Sequence, residues 1–145
     1  GIDVLSLPGV SDGPENDYAG QAVGALAALA DHDMVVVHVE ASDEAAHAGS
    51  VTEKVAAIQQ VDREILGRLR AWSADSLRLL VMPDHPTPIS VRTHTADPVP
   101  FMLFGSGFAG NGAARFTERD AAATGLLVDP GYTIMKRLVT GRADG

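Results

Sequence analysis

The chain has 145 residues, no cysteine and a formal net charge of −8. Disulfides and thiolate metal sites are thereby excluded, and nucleic acid is disfavoured because no Lys/Arg surface exists to neutralise its phosphates. With 46% apolar residues the chain can bury a core, yet no apolar run approaches the roughly 18 residues of a membrane span.

Residues 1–10 show neither a basic start nor the apolar stretch of a secretory leader, which with the missing cysteines points to the cytoplasm. Ile2–Leu7 is a short apolar run closed by Pro8-Gly9 and reads as a strand. After the turn-rich Ser11–Asp17, the spacing of apolar residues predicts a helix over Tyr18–Ala30, ended by Asp31 to Asp33. Met34–Val39 is continuous and β-branched, the pattern of a strand buried on both faces, which makes His38 a core histidine.

Ser50 or Thr52 can cap the next helix, where Val55, Ile58, Val61, Ile65 and Leu69 form an inward stripe. Leu77–Met82 is expected to be a second buried strand, residues 86–98 a Pro/Thr-rich loop, and Pro100–Phe104 a third strand. Gly105–Gly112 reads as a flexible loop; it lacks the Lys-Ser/Thr pair of a P-loop. Thr117 caps a short helix to about Thr124, and Asp129-Pro130 opens a last helix with Ile134, Met135, Leu138 and Val139 facing inward. Strands alternating with helices imply one α/β domain with a mostly parallel sheet flanked by helices.

Five potential metal ligands lie in three short segments: Asp43 and His47, the dipeptide Asp84-His85, and His94. Mixed carboxylate and imidazole donors suit Zn, Mn or Fe, and paired ions are a standard device for phosphoryl chemistry. In open α/β sheets ligands bind beyond the carboxyl ends of strands. Both pairs directly follow predicted strands, and His94 lies in the loop after the second pair. Asp43 and His47 share one face if a helical turn holds them. Asp84 and His85 would point oppositely in a strand, but Pro83 and Pro86 break it and let them converge. Each motif alone reads more readily as solvated polar residues, and only the placement of all three after strand ends brings the metal reading level with that one. Glu40 and Glu44 read either as partners that orient a histidine or as loop residues.

Together the segments resemble the cofactor-independent phosphoglycerate mutases, in the archaeal-type branch of the alkaline phosphatase superfamily. The resemblance rests on His38-Val-Glu-Ala-Ser-Asp-Glu-Ala-Ala-His47, Leu80-Val-Met-Pro-Asp-His-Pro-Thr-Pro88 and Arg92-Thr-His-Thr-Ala-Asp-Pro-Val-Pro-Phe101, in that order. Ser42 stands where the family has proline and Ala46 where it has glycine, the latter threatening to crowd the turn before His47.

The resemblance implies an alkaline phosphatase-like fold, here incomplete, and two divalent ions (Mn, Zn or Mg). Asp43, His47 and His94 would hold one ion; Asp84 and His85 would help hold the other. It implies a phosphorylated small-molecule substrate, with 3-phosphoglycerate and 2-phosphoglycerate interconverted through a phosphoserine. Arg92 is either a phosphate contact or a surface arginine. The family's nucleophilic serine, a further aspartate and a substrate domain have no counterpart in residues 1–33, where Ser6 and Ser11 lack the context. The expectation is therefore a C-terminal part of a longer enzyme, inactive alone, partnered by the missing N-terminal half or by self-association. Another phosphatase or phosphomutase of the superfamily, a non-catalytic metal-binding module and a structural fragment remain open.

Overall fold

The computed structural model describes residues 1–72 and 77–142, which fall into two compact units. Residues 1–73 with 87–94 form the first, and residues 74–86 with 95–145 the second.

In the first unit, helix α1 (Tyr18–Ala28) starts where the Asp17 side chain accepts from the Gly20 amide. That side chain satisfies one of the orphan N–H groups of the first turn. Tyr18, Gln21, Ala22 and Ala25 make its buried face, and burial pushes the Tyr18 hydroxyl pKa up. Buried Asn16 donates from its side chain to Gln21, whose amide donates in turn to the His38 carbonyl.

Helix α2 (Ala41–His47) buries Ala41, Ala45 and Ala46. The fully buried Ala46 sits in a regular helical turn, so the feared crowding before His47 does not arise. Gly49 follows in the left-handed region (φ 75°). The Gly49 amide donates to the Ala46 carbonyl, and the Ser50 amide to that of Ala45, the paired bonds of a glycine-terminated helix.

Ser50 then caps helix α3 (Val51–Gln60), accepting from the Glu53 amide. A π-helical stretch, Val61–Leu66, leads into helix α4 (Gly67–Ala71). The wider π turn rotates the inward face along the rod. Ala57, Ile65 and Leu69 are buried, while Val55 and Ile58 of the expected stripe lie exposed. On the outer side Arg63 and Arg68 hydrogen-bond Glu64 and hold its carboxyl below the usual range.

Two expected strands of this unit, Ile2–Leu7 and Met34–Val39, carry no sheet pairing among the described residues. Met34, Val36 and His38 are exposed, and Val35, Val37 and Val39 are half-buried. This is the alternation of extended chain covered on one side only. His38 is accordingly no core residue: its ring is 64% exposed and lies 3.4 Å from Glu40.

In the second unit, strands β1 (Arg78–Val81) and β2 (Met102–Gly105) pair antiparallel, Arg78 opposite Gly105 and Val81 opposite Met102. The expected mostly parallel arrangement is therefore not found among the described residues. The segment between the two strands contains no helix to carry the chain back for a parallel neighbour. Thr117 caps helix α5 (Glu118–Ala123) as predicted, through the Asp120 amide.

Helix α6 (Ile134–Thr140) follows a 3₁₀ turn over Gly131–Thr133. Ile134 is buried, but Met135 and Val139 lie exposed, contrary to the inward stripe. The Arg78 guanidinium donates to the Val139 and Ser106 carbonyls, a cation at the negative end of α6.

The glycine loop is fitted to its surroundings at two points. A Cβ on Gly105 (φ 112°) would stand 2.0 Å from the Leu77 carbonyl oxygen, and one on Gly107 (φ 92°) 2.2 Å from that of Gly141.

Candidate metal centre

Helix α2 places Asp43 and His47 one turn apart on its open face, with the three buried alanines behind them. Asp43 lies in the first turn, where a carboxylate suits the helix dipole, and His47 in the last. The returning segment 87–94 adds His94 to the same place. His47 Nε2 is 3.1 Å from Asp43 Oδ2 and 3.2 Å from His94 Nε2, and His94 Nε2 is 3.8 Å from Asp43 Oδ1. The imidazole rings are 5.1 Å apart and tilted by 54°. One donor atom from each residue lies within 4.8 Å of the others.

His47 and Asp43 each have a supporting contact from the chain around them. His47 Nδ1 donates to the Arg92 carbonyl (2.9 Å), which leaves the Nε2 lone pair for the site. The Thr87 hydroxyl donates to Asp43 Oδ1. Thr87 is only 5% exposed, and its own carbonyl accepts from Lys54 Nζ of α3 at 2.8 Å. Sequence reasoning missed Thr87, Lys54 and Gly49, because nothing local marks a threonine between prolines as an orienting donor.

The side chains of Asp43, His47 and His94 are 21%, 35% and 51% exposed, so the cluster opens to solvent on one side. One carboxylate and two imidazoles, with one side of the cluster open to water, fit a divalent ion of the Zn or Mn type. Two imidazole nitrogens at 3.2 Å require a proton or a cation between their lone pairs, which the same donor set provides for.

Arg92 has a positive φ of 58°, unique among the described non-glycine residues. Its guanidinium lies over Gly49, where a Cβ would stand 2.6 Å from Nε. In the second unit, Asp84 and His85 turn toward each other. The Asp84 carboxylate accepts from the His85 amide at 3.0 Å and lies 3.4 Å from His85 Nε2. The Pro-flanked break thus brings the two neighbouring side chains together.

Residues 3–140 match the family described as the metalloenzyme superfamily. The chain belongs to the metalloenzyme superfamily. Among its superfamily relatives, a probable 2,3-bisphosphoglycerate-independent phosphoglycerate mutase from Geobacter sulfurreducens is 39% identical over 142 residues, covering 96% of this chain and 36% of that protein. A 2,3-bisphosphoglycerate-independent phosphoglycerate mutase 2 from Methanothermobacter thermautotrophicus is 47% identical over 108 residues, covering 74% of this chain and 27% of the relative. The solved structure of the PH0037 protein from Pyrococcus horikoshii superposes with a TM-score of 0.88 at 27% identity, covering 97% of this chain and 43% of that one. The chain thus spans about a third of the length of the curated relatives it matches. No described helix is long and apolar enough to cross a membrane.

One prediction arises directly from Thr87. Thr87→Val keeps the shape of the side chain and removes the donor to Asp43. It is expected to weaken metal binding about 10- to 100-fold, as loss of an orienting partner typically does, with calorimetric titration of Mn²⁺ as the readout. Unchanged affinity would make the Thr87 contact incidental.

Proposed function

We propose that these residues form the metal-binding part of a cofactor-independent phosphoglycerate mutase. Asp43, His47 and His94 hold one divalent ion (Mn, Zn or Mg), and Asp84 and His85 contribute to a second. The observation that supports this most is the convergence of three donors within 4.8 Å, in a superfamily chain whose curated relatives carry that name. The substrate class on this reading is a phosphorylated hydroxy acid, 3-phosphoglycerate or 2-phosphoglycerate.

Bound divalent ions would neutralise phosphate oxygens and lower the pKa of a serine nucleophile. The chain's own residues set up that chemistry. Asp43 brings one negative charge, His47 presents Nε2 because its other nitrogen is engaged, and Arg92 offers a planar two-pronged donor to a phosphate. Ile2–Leu7 and Met34–Val39 are assigned to a mostly parallel sheet whose neighbouring strands come from outside these 145 residues. The exposure of Ile2, Val4, Met34 and Val36 supports this. Alone, the 145-residue chain has no mutase turnover.

A chimaera tests the assignment: the 145 residues replace the matching segment of the Geobacter sulfurreducens relative. The expected result is metal-dependent interconversion of the two phosphoglycerates, lost with Asp43→Asn. A folded, metal-loaded chimaera that releases inorganic phosphate without isomerising would instead identify a phosphatase.

A further inference from the structure

The backbone of Arg92 is more unusual than its side chain. A non-glycine residue with φ 58° is held in a sparsely populated region that costs free energy. Such a conformation persists only where the surroundings demand it. Here the turn begins at Pro88, whose carbonyl accepts from the amides of both Val91 and Arg92. The left-handed residue then aims its own carbonyl at His47 Nδ1, and the chain reaches His94 two residues later. Gly49, itself left-handed, leaves the space in which the Arg92 guanidinium lies. One turn therefore supplies both a ligand and the acceptor that orients another.

We infer that the left-handed backbone of Arg92, rather than its guanidinium, is the positioning element that fixes His47 as the Nδ1–H tautomer with Nε2 facing Asp43 and His94. The inference rests on the reading of these three residues as ligands, but its first readout needs no metal. In a strained αL position glycine is at ease, whereas a β-branched residue resists positive φ. Arg92→Gly therefore keeps the carbonyl in place, and Arg92→Val displaces it. The guanidinium is absent from both.

The experiment is long-range ¹H–¹⁵N correlation spectroscopy of the histidine rings at mildly alkaline pH in metal-free protein, followed by Co²⁺ titration of the same samples. The wild type and Arg92→Gly are expected to show His47 protonated at Nδ1 and to bind Co²⁺ within about twofold of each other. Arg92→Val is expected to show mixed tautomers and about 10- to 100-fold weaker binding.

A wild-type His47 protonated at Nε2 overturns the inference whether or not metal binds. So does an Arg92→Gly protein that loses tenfold in affinity, which would assign the role to the side chain. Should Arg92→Val fail to fold, the comparison of wild type with Arg92→Gly still decides between backbone and guanidinium. A wild type that shows the Nδ1–H tautomer but takes up no Co²⁺ refutes the ligand assignment while leaving the positioning role supported.

Discussion

His47→Ala and His94→Ala should each abolish measurable uptake of the ion at the Asp43 cluster. Three protein donors are a small set for a divalent ion, and removing one leaves two beside open solvent. The loss should exceed the 10- to 100-fold typical of an orienting partner, so more than about 100-fold by calorimetry with Mn²⁺ or Zn²⁺. The His94 ring is about half exposed, and truncating an exposed side chain rarely shifts stability beyond about 0.5 kcal/mol, so metal-free His94→Ala should melt with the wild type. His47→Ala also loses the bond to the Arg92 carbonyl, a cost of about 1 kcal/mol, and should melt slightly lower while staying folded. An unchanged isotherm in either variant would remove that histidine from the ligand set. A joint loss of fold and binding would make it a packing residue.

The second large effect is one of stability. Gly105→Ala should destabilise the second unit by about 3 kcal/mol, since an alanine held at positive φ is strained. Its Cβ would also stand 2.0 Å from the Leu77 oxygen and 3.0 Å from the Arg78 Cα. Those atoms are backbone at the end of β1, so the pairing of Arg78 with Gly105 must open to relieve the contact. Gly110→Ala is the internal control. Nothing lies within 4 Å of its prospective Cβ and its φ is not positive, so the change should stay within about 0.5 kcal/mol. Equal midpoints in chemical denaturation for the two variants would mean that the loop floats free.

The parts of this fold that were legible in sequence are those decided within a few residues. Ser50 and Thr117 cap their helices as expected, because the acceptor oxygen and the amide it serves are three positions apart. Asp43 and His47 were readable for the same reason, one helical turn apart. What was not readable depends on contacts distant in sequence. An apolar run such as Leu77–Met82 has the same composition whichever way its neighbour runs, and only the geometry of the 82–101 connection makes the pair antiparallel. Val55 and Ile58 share the helical period of Ile65 and Leu69, yet the π stretch after Gln60 shifts the phase between the two ends of the rod, and before it the buried position is Ala57. His38 sits in a β-branched run that promises burial, but the chain covers only one side of that run. In the candidate site the ligand types were visible, whereas Thr87, Gly49 and the Arg92 carbonyl were not: a backbone acceptor leaves no mark on residue identity.

His47 and His94 meet across 47 positions of chain. An ion shared between them would therefore act as a reversible cross-link, closing a loop whose entropy in the unfolded chain is worth about 3 kcal/mol by the logarithmic closure law. The site cannot exist until the segment after Pro86 has come back to helix α2, so an ion would bind only the closed arrangement and would discourage the turn from leaving again.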